Sequence, residues 1–362
     1  MLKVYDFYDK LDKIAPFKTA FGFDNVGLLI GDMNGCVRKV LLSLDVTEKI
    51  VELAIQKKID LIISHHPVIF QAQKNIVQKK ILNIIENKIA IISAHKNLDV
   101  SKHGVNYVLA ETLGLQNIQT LSMSYEINQY QICVYTPFES IEKLVNAMNK
   151  AGAGVIGNYI QCATYFETMG QYMPLQNSNP YYGHHDHLVK VNEMKLELLC
   201  EEACLQKVLN AMFQNHPYET PVYTVIPLKQ SSPNFGLGCY GDLTNSMSIK
   251  DFSVFVKDRL HAPFVKLWLA DKNIDLHIKN VAVCGGSGSS LISAARQKAE
   301  VFVSADFTYH QLLDAAMPII DAGHFYTENP MMEKLKNIFQ DFDCDLSVIE
   351  HSEHDISSMR WV

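Results

Sequence analysis

Hydrophobic and polar positions fall into two rhythms along this chain. Ile59 to Ile63 is a short apolar run bounded by Lys57-Lys58 and closed by Ser64-His65-His66-Pro67. An Ile-rich run ended by proline predicts a buried strand, with both histidines at its carboxyl end. The same pattern surrounds it. Val40 to Asp45 reads as a strand, and Thr47 can cap a helix whose apolar face is Ile50, Leu53, Ala54 and Ile55. A second helix, roughly Gln78 to Lys88, precedes a strand from Ile89 to Ala94 that runs into His95-Lys96-Asn97-Leu98-Asp99. Upstream lie a first helix and Asn25-Val26-Gly27-Leu28-Leu29-Ile30-Gly31, where glycine at both ends of an apolar run marks a strand closed by turns. Strands alternating with helices predict a parallel sheet. Asp45, His65, His66, His95 and Asp99 then all fall at or just past strand carboxyl ends, where ligand sites of open α/β sheets lie.

The rhythm changes near Glu126. A strand from Gln131 to Tyr135 precedes an amphipathic helix, Ser140 to Lys150, with Ile141, Leu144, Val145 and Met148 on one side. Strand-like segments follow around Tyr159–Thr168 and Val189–Leu199, then a helix from Glu201 to Gln214 and a strand from Pro221 to Pro227. The order β-α-β-β-α-β predicts an inserted ferredoxin-like (α+β) domain at roughly 126–230, closed by the linker Ser231-Ser232-Pro233-Asn234. The α/β pattern then resumes. Val281 to Cys284 enters Gly285-Gly286-Ser287-Gly288-Ser289-Ser290, and Val301 to Ser304 leads to Asp306 and His310. Pro318 to Ala322 leads to Gly323-His324-Phe325-Tyr326-Thr327-Glu328. The expected fold class is therefore α/β: a core of two α/β lobes built from residues 1–125 and 231–362, interrupted by the insert.

Composition narrows the function classes. The 362 residues are 48% hydrophobic and 20% charged, as in ordinary globular proteins with a large core. A net charge of −7 argues against a nucleic-acid partner held by bulk charge. No apolar run approaches the ~20 residues that span a bilayer, so no membrane partner is expected. None of the eight cysteines forms a C-x-x-C pair, which argues against a thiolate zinc site and for a reduced, cytoplasmic setting.

The chemistry sits at the strand ends. His65, His66, Asp99, His324 and Glu328, with Asp45, His95, Asp306 and His310 behind them, could hold two divalent ions bridged by a carboxylate or water. Mixed N and O donors suit Zn, Mn, Fe, Co or Ni. His324 and Glu328 have i, i+4 spacing, but Asn329-Pro330 places the next helix start later and the pair on a loop. The plainer reading, for any one of these residues taken alone, is a hydrogen-bonded loop or surface side chain.

Six stretches together resemble a known family. They are Asn25 to Gly31, Ser43-Leu44-Asp45-Val46-Thr47, Ser64-His65-His66-Pro67, Ala94 to Asp99, Val283-Cys284-Gly285-Gly286-Ser287-Gly288, and Gly323 to Glu328. The chain resembles the Nif-three-like proteins, also called GTP cyclohydrolase I type 2 homologues, in their long bacterial form with a CutA/PII-like insert. The resemblance implies a dinuclear centre of two divalent transition-metal ions on His65, His66, Asp99, His324 and Glu328. It also implies a homohexamer. One departure is Ser304-Ala305-Asp306, where the family usually has Gly before the acid, which weakens any role carried over to Asp306 and His310.

Other signals compete. Gly183-His184-His185-Asp186-His187 is a denser histidine cluster, expected as a solvated loop in the insert, and His351-Ser352-Glu353-His354-Asp355 reads as a solvated tail. The glycine-rich turn Gly285 to Ser290 could cradle a phosphate or simply allow tight packing. His216-Pro217-Tyr218-Glu219 reads as a turn with a packed tyrosine, against a resemblance to effector-binding folds. The expected function is a metal-dependent hydrolase acting on a nucleotide or phosphoester small molecule, with His95 or His310 as catalytic acid or base. The alternative is a non-enzymatic metal- or cofactor-binding adaptor with an effector-sensing insert.

Overall fold

The computed structural model describes residues 1–123, 129–157, 159–228, 235–349 and 353. The linker expected at Ser231 to Asn234, and all of the histidine-bearing tail except Glu353, lie outside them. The first flank runs β1 (Leu2–Lys3), α1 (Val4–Ile14), β2 (Gly27–Ile30), β3 (Cys36–Val37), β4 (Lys39–Ser43) and α2 (Glu48–Lys57). It continues through β5 (Leu61–Ser64), α3 (Lys79–Glu86), β6 (Ala90–Ser93), α4 (Lys96–Val100), α5 (Val105–Thr112) and β7 (Gln116–Met123). The insert contributes β8 (Gln129–Thr136), α6 (Ile141–Lys150), β9 (Thr164–Tyr172), β10 (Val189–Glu201), α7 (Glu202–Asn215) and β11 (Tyr223–Leu228). The second flank opens with β12 (Gly236–Ser248), α8 (Ile249–Arg259), β13 (Lys266–Trp268), β14 (His277–Ser287), α9 (Ile292–Lys298) and β15 (Val301–Ala305). It closes with α10 (Tyr309–Asp314), β16 (Ile319–Asp321), α11 (His324–Glu328), α12 (Pro330–Phe339) and β17 (Asp345–Val348). By internal contacts the chain divides into two units, Met1–Tyr125 with Pro233–Val362, and Glu126–Ser232.

In the first unit, β17, β4, β5 and β6 form a parallel sheet with β2 antiparallel at its edge. Every residue of β5 and β6 is buried because both faces are covered, the usual state of a parallel sheet. Alternation along the strands divides the core. Leu42, Leu61, Ile63 and Ile92 pack with Phe7 and Leu11 of α1 and with Leu335 and Phe339 of α12. Leu41, Ile62 and Ile91 face the other way, onto Ile50 and Ala54 of α2 and Ile84 of α3. Each fully buried Ile or Leu contributes roughly 1.5–3 kcal/mol of transfer free energy. Thr47 caps α2 by accepting the Ile50 N–H at 3.3 Å, and Lys58 ends it in the left-handed conformation.

The second sheet of this unit has the order β13-β16-β15-β14-β12-β7, with β14, β15 and β16 parallel. Val281, Val283, Val301, Val303 and Ile320 pack on Phe252 and Val256 of α8, and Ala282, Phe302 and Ile319 on Leu291 and Ala295. The carboxyl ends of β4, β5 and β6 in one sheet and of β14, β15 and β16 in the other carry the residues that meet at the site.

The second unit has the element order β-α-β-β-α-β and an antiparallel sheet ordered β11-β8-β10-β9. Ile132, Val134, Leu196 and Leu198 pack against Leu144 and Met148 of α6 and Val208 and Met212 of α7. One expectation fails. His324 and Glu328 lie on helix α11, not on a loop. Pro330 does not break the path, since it occupies the first position of α12, where its missing N–H is not needed.

Candidate metal centre

Three serines in register hold the strand exits of the first sheet. Ser43, Ser64 and Ser93 are cross-strand neighbours at the ends of β4, β5 and β6. Ser43 Oγ donates to the Asp45 carbonyl at 2.6 Å, and Ser64 Oγ to the His66 carbonyl at 2.9 Å. Just past β5, the His65 and His66 N–H groups donate to the carbonyls of Ser43 and Leu44. Both histidines therefore leave the sheet on a fixed backbone.

Each imidazole is oriented by a hydrogen bond at Nδ1, which turns Nε2 inward. His65 Nδ1 donates to the Ala94 carbonyl at 2.8 Å. His66 Nδ1 lies 2.8 Å from Asp45 Oδ1, and His324 Nδ1 lies 2.6 Å from Asp306 Oδ2. Fixing a ring through its second nitrogen is what a metal-ligating histidine requires. Asp306, just past Ala305 at the end of β15, reaches His324 directly. Asp306 itself takes a left-handed φ of 60°, which Asp tolerates better than most residues.

Glu328 is the meeting point. Its Oε2 lies 3.2 Å from His66 Nε2 and 3.2 Å from His324 Nε2. On its other side, His65 Nε2 stands 3.7 Å from Glu328 Oε1 and 3.5 Å from Asp99 Oδ1. His65, Asp99 and Glu328 are almost wholly buried, whereas the side chains of His66 and His324 are 26% and 38% exposed. The cluster is thus closed below and open on one side.

Three buried atoms here have no hydrogen-bond partner: His65 Nε2, Asp99 Oδ1 and Glu328 Oε2. Leaving such atoms unsatisfied is costly, of order 1–3 kcal/mol each and more for charged groups. Cations on the two sides of Glu328 would satisfy them, one between His65 Nε2 and Asp99 Oδ1 and one at Oε2, beside His66 and His324. Among the described residues, the groups that can share an ion are His65 with Asp99 and Glu328, His66 with His324 and Glu328, and His65 with His66 and His95. Glu328 belongs to two of them. The backbone also makes room for this site. A Cβ on Gly286 would stand 2.3 Å from Glu328 Oε1 and 2.9 Å from His324 Nε2, and its φ is +63°. The glycine-rich turn therefore lets β14 approach the carboxylate closely.

Electrostatics follow from this crowding. Burial works against a charge on His66, but the hydrogen bond to Asp45 and the Glu328 carboxylate push its pKa up to about 10. His324 is likewise opposed by burial and pushed up to about 9 by Glu328 and Asp306. Burial also disfavours ionised Glu328, yet the surrounding imidazoles, His65 first, hold its carboxyl well below the usual carboxylate range.

Other side chains complete the surroundings. His95 Nδ1 lies 2.8 Å from Asp24 Oδ1, and Asp24 Oδ2 accepts the Lys96 N–H at 2.9 Å. The His95 ring stands 5.1 Å from that of His65 and 5.5 Å from that of His66, so it borders the cluster. Lys96 Nζ donates to Asp99 Oδ2 at 2.7 Å. Asn106 ties the two sheets together by donating to the Asp99 carbonyl and accepting the Gly285 N–H, each at 2.8 Å. Sequence reasoning missed Asp24, Lys96 and Asn106 in these positions. His310 is not brought to the cluster. It is exposed on α10, with its ring on Tyr309. Within the insert, the histidines make contacts of their own. His184 is exposed, His185 Nε2 donates to the Ser178 carbonyl, and His187 Nδ1 to the His185 carbonyl.

A two-sheet α/β unit with convergent strand ends and a histidine–carboxylate cluster defines a class, and sequence comparison gives the family. The chain belongs to the Duf34/NIF3 (NGG1p interacting factor 3) family, whose profile matches residues 2–355. It is 38% identical over 331 residues to the GTP cyclohydrolase 1 type 2 homolog of Bacillus subtilis (strain 168), covering 89% of this chain and 88% of the relative. A Staphylococcus aureus (strain MRSA252) protein of the same name is 36% identical over 355 residues, covering 94% of each chain. The crystal structure of a Bacillus cereus protein related to NIF3 matches with a TM-score of 0.86 and 32% identity, over 100% of this chain and 99% of that one. The family expected from the six stretches is the family found.

Proposed function

We infer that this chain binds two divalent transition-metal ions and hydrolyses a phosphoester or nucleotide at the open side of the cluster. The observation that supports the reading most directly is the trio of buried, unpartnered atoms His65 Nε2, Asp99 Oδ1 and Glu328 Oε2. His65 and Asp99 would hold one ion, His66 and His324 the other, with Glu328 shared, since a carboxylate offers two oxygens. Two such ions supply an activated water and charge neutralisation for a phosphoryl group. The chain's own residues do the rest. Asp45, Asp306 and the Ala94 carbonyl keep each imidazole aimed. His95, steadied by Asp24 at the border of the cluster, is placed to hold or pass a proton. Lys96 offsets the negative charge of Asp99.

The name GTP cyclohydrolase 1 type 2 homolog belongs to the relatives and makes purine nucleotides the first substrates to try. Turnover of nucleotides or phosphoesters that depends on added Mn, Zn or Fe is expected. Metal-loaded protein inert across a broad panel would instead identify a non-enzymatic adaptor. A homohexamer is part of the proposal, supported by family membership, and a monomer by light scattering at micromolar concentration counts against it. So is a reduced, cytoplasmic setting, consistent with eight free cysteines. No helix among the described residues is long and apolar enough to cross a membrane.

A further inference from the structure

The insert contains a cavity of 630 Å³ that the proposed hydrolysis does not use. Its walls come from the end of β9, the loop from Met173 to Tyr181, and the stretch from Tyr218 to Val222. Three tyrosine rings meet there. The Tyr218 ring lies 5.9 Å from that of Tyr181 and 6.5 Å from that of Tyr172. Two of these rings are anchored through their hydroxyls. Tyr172 donates to the Tyr182 carbonyl at 2.9 Å, and Tyr218 donates to Glu193 Oε1 at 2.8 Å. The Tyr218 N–H also donates to His216 Nδ1 at 3.0 Å, while His216 Nε2 donates to the Tyr135 carbonyl at 2.8 Å. With one ring nitrogen accepting and the other donating, His216 is neutral and brings no positive charge to this side of the insert.

The carboxylates are also placed. Gly170 leaves space for Glu193, because a Cβ there would stand 2.2 Å from Glu193 Oε2. Glu219 Oε1 accepts the Asn179 N–H at 3.1 Å and ties the loop to the opposite wall. Glu193 and Glu219 are the charged groups among the described lining residues, which include no Lys, Arg or His. An anion entering here would meet two carboxylates and no counter-charge. A cation would meet carboxylates and the negative faces of tyrosine rings, the combination that recognises ammonium groups. The volume is in the range that holds a small organic ligand.

The geometry points to a binding site for a small organic cation, an amine or quaternary ammonium bearing apolar substituents, seated against Tyr172, Tyr181 and Tyr218 with Glu193 as counter-charge. The site is independent of the metal centre, since none of its residues contributes a metal-ligating group.

Calorimetric titration of the full-length protein tests this with benzyltrimethylammonium, choline, inorganic phosphate, and 3,3-dimethylbutan-1-ol, the uncharged shape analogue of choline. Benzyltrimethylammonium should bind with a dissociation constant below about 1 mM, and choline at least about tenfold tighter than the alcohol. Glu193→Gln and Tyr218→Leu should each weaken benzyltrimethylammonium by about tenfold and leave metal content unchanged. Equal affinity for choline and the alcohol, binding of phosphate in competition with benzyltrimethylammonium, or no binding by either cation would overturn the assignment. So would benzyltrimethylammonium binding that neither variant alters. The choline comparison uses the unaltered chain, so it stands even if Tyr218→Leu fails to fold.

Discussion

At the scale of single residues, the cluster is a set of groups whose charges depend on one another. The raised pKa values of His66 and His324 have a measurable consequence in metal-free protein. Both lie above the ordinary 6.5, so the stabilisation they contribute is fully present below about pH 6.5 and is lost as pH rises through about 9 and 10. Chelated protein should therefore show a falling urea midpoint between pH 7 and pH 10, and Asp45→Asn with Asp306→Asn should flatten that fall. A profile unchanged by the double substitution would contradict the pairing. Metal binding needs neutral imidazoles, so ion uptake at pH 7 should release protons into weakly buffered solution.

Gly286 makes a second prediction at this scale. Gly286→Ala puts a methyl group 2.3 Å from Glu328 Oε1 and forces alanine into a left-handed conformation costing roughly 1–2 kcal/mol. Lower thermal stability and loss of bound metal are expected; a variant with full metal content would show that β14 has room to move. Legibility differs sharply from residue to residue. His65 and His66 could be placed because an apolar strand leads straight into them. Asp24 could not, since its contact with His95 spans 71 positions and nothing in the local pattern marks it. Sequence alone offers His310 beside His95 as a catalytic acid or base, but the capping of α10 by Thr308 leaves it on an exposed first turn.

Among elements, the parallel strands were readable because burial on both faces writes them as continuous aliphatic runs, as in Leu61-Ile62-Ile63 and Ala90-Ile91-Ile92. Helix α11 was not. Asn329-Pro330 reads as a break, but a proline at the start of a helix can follow directly on the turn before it, and Asn329 keeps helical angles. The result favours the site, since a helical turn brings His324 and Glu328 onto one face. The ends of the insert also carry a prediction. Met123 of β7 and Gly236 of β12 are antiparallel partners, so the strands that flank the insert already form an open hairpin. Replacing residues 124–235 with Asn-Gly should close it with a two-residue turn and leave a folded, metal-binding core. A shortened protein that is soluble and helical but holds no metal would place ligands in the insert and refute this.

At the level of the whole molecule, the site draws on both ends of the chain. His65, His66 and Asp99 precede the insert, and His324 and Glu328 follow it, more than two hundred positions beyond Asp99 in sequence. The two sheets meet at Glu328, which is 2% exposed and stands within 3.7 Å of three imidazole nitrogens. A one-ion site on the first flank would leave His324 and Glu328 unexplained. Two ions would place like charges side by side, and a shared carboxylate offsets that repulsion. Glu328→Gln keeps the shape and removes the charge. The decisive measurement is elemental analysis of the folded protein beside Glu328→Gln and the double variant His184→Ala, His185→Ala. The account predicts two ions per chain in the unaltered protein and in the His184/His185 variant, and the loss of at least one in Glu328→Gln. Two ions retained in Glu328→Gln, or an ion lost from the His184/His185 variant, would contradict it.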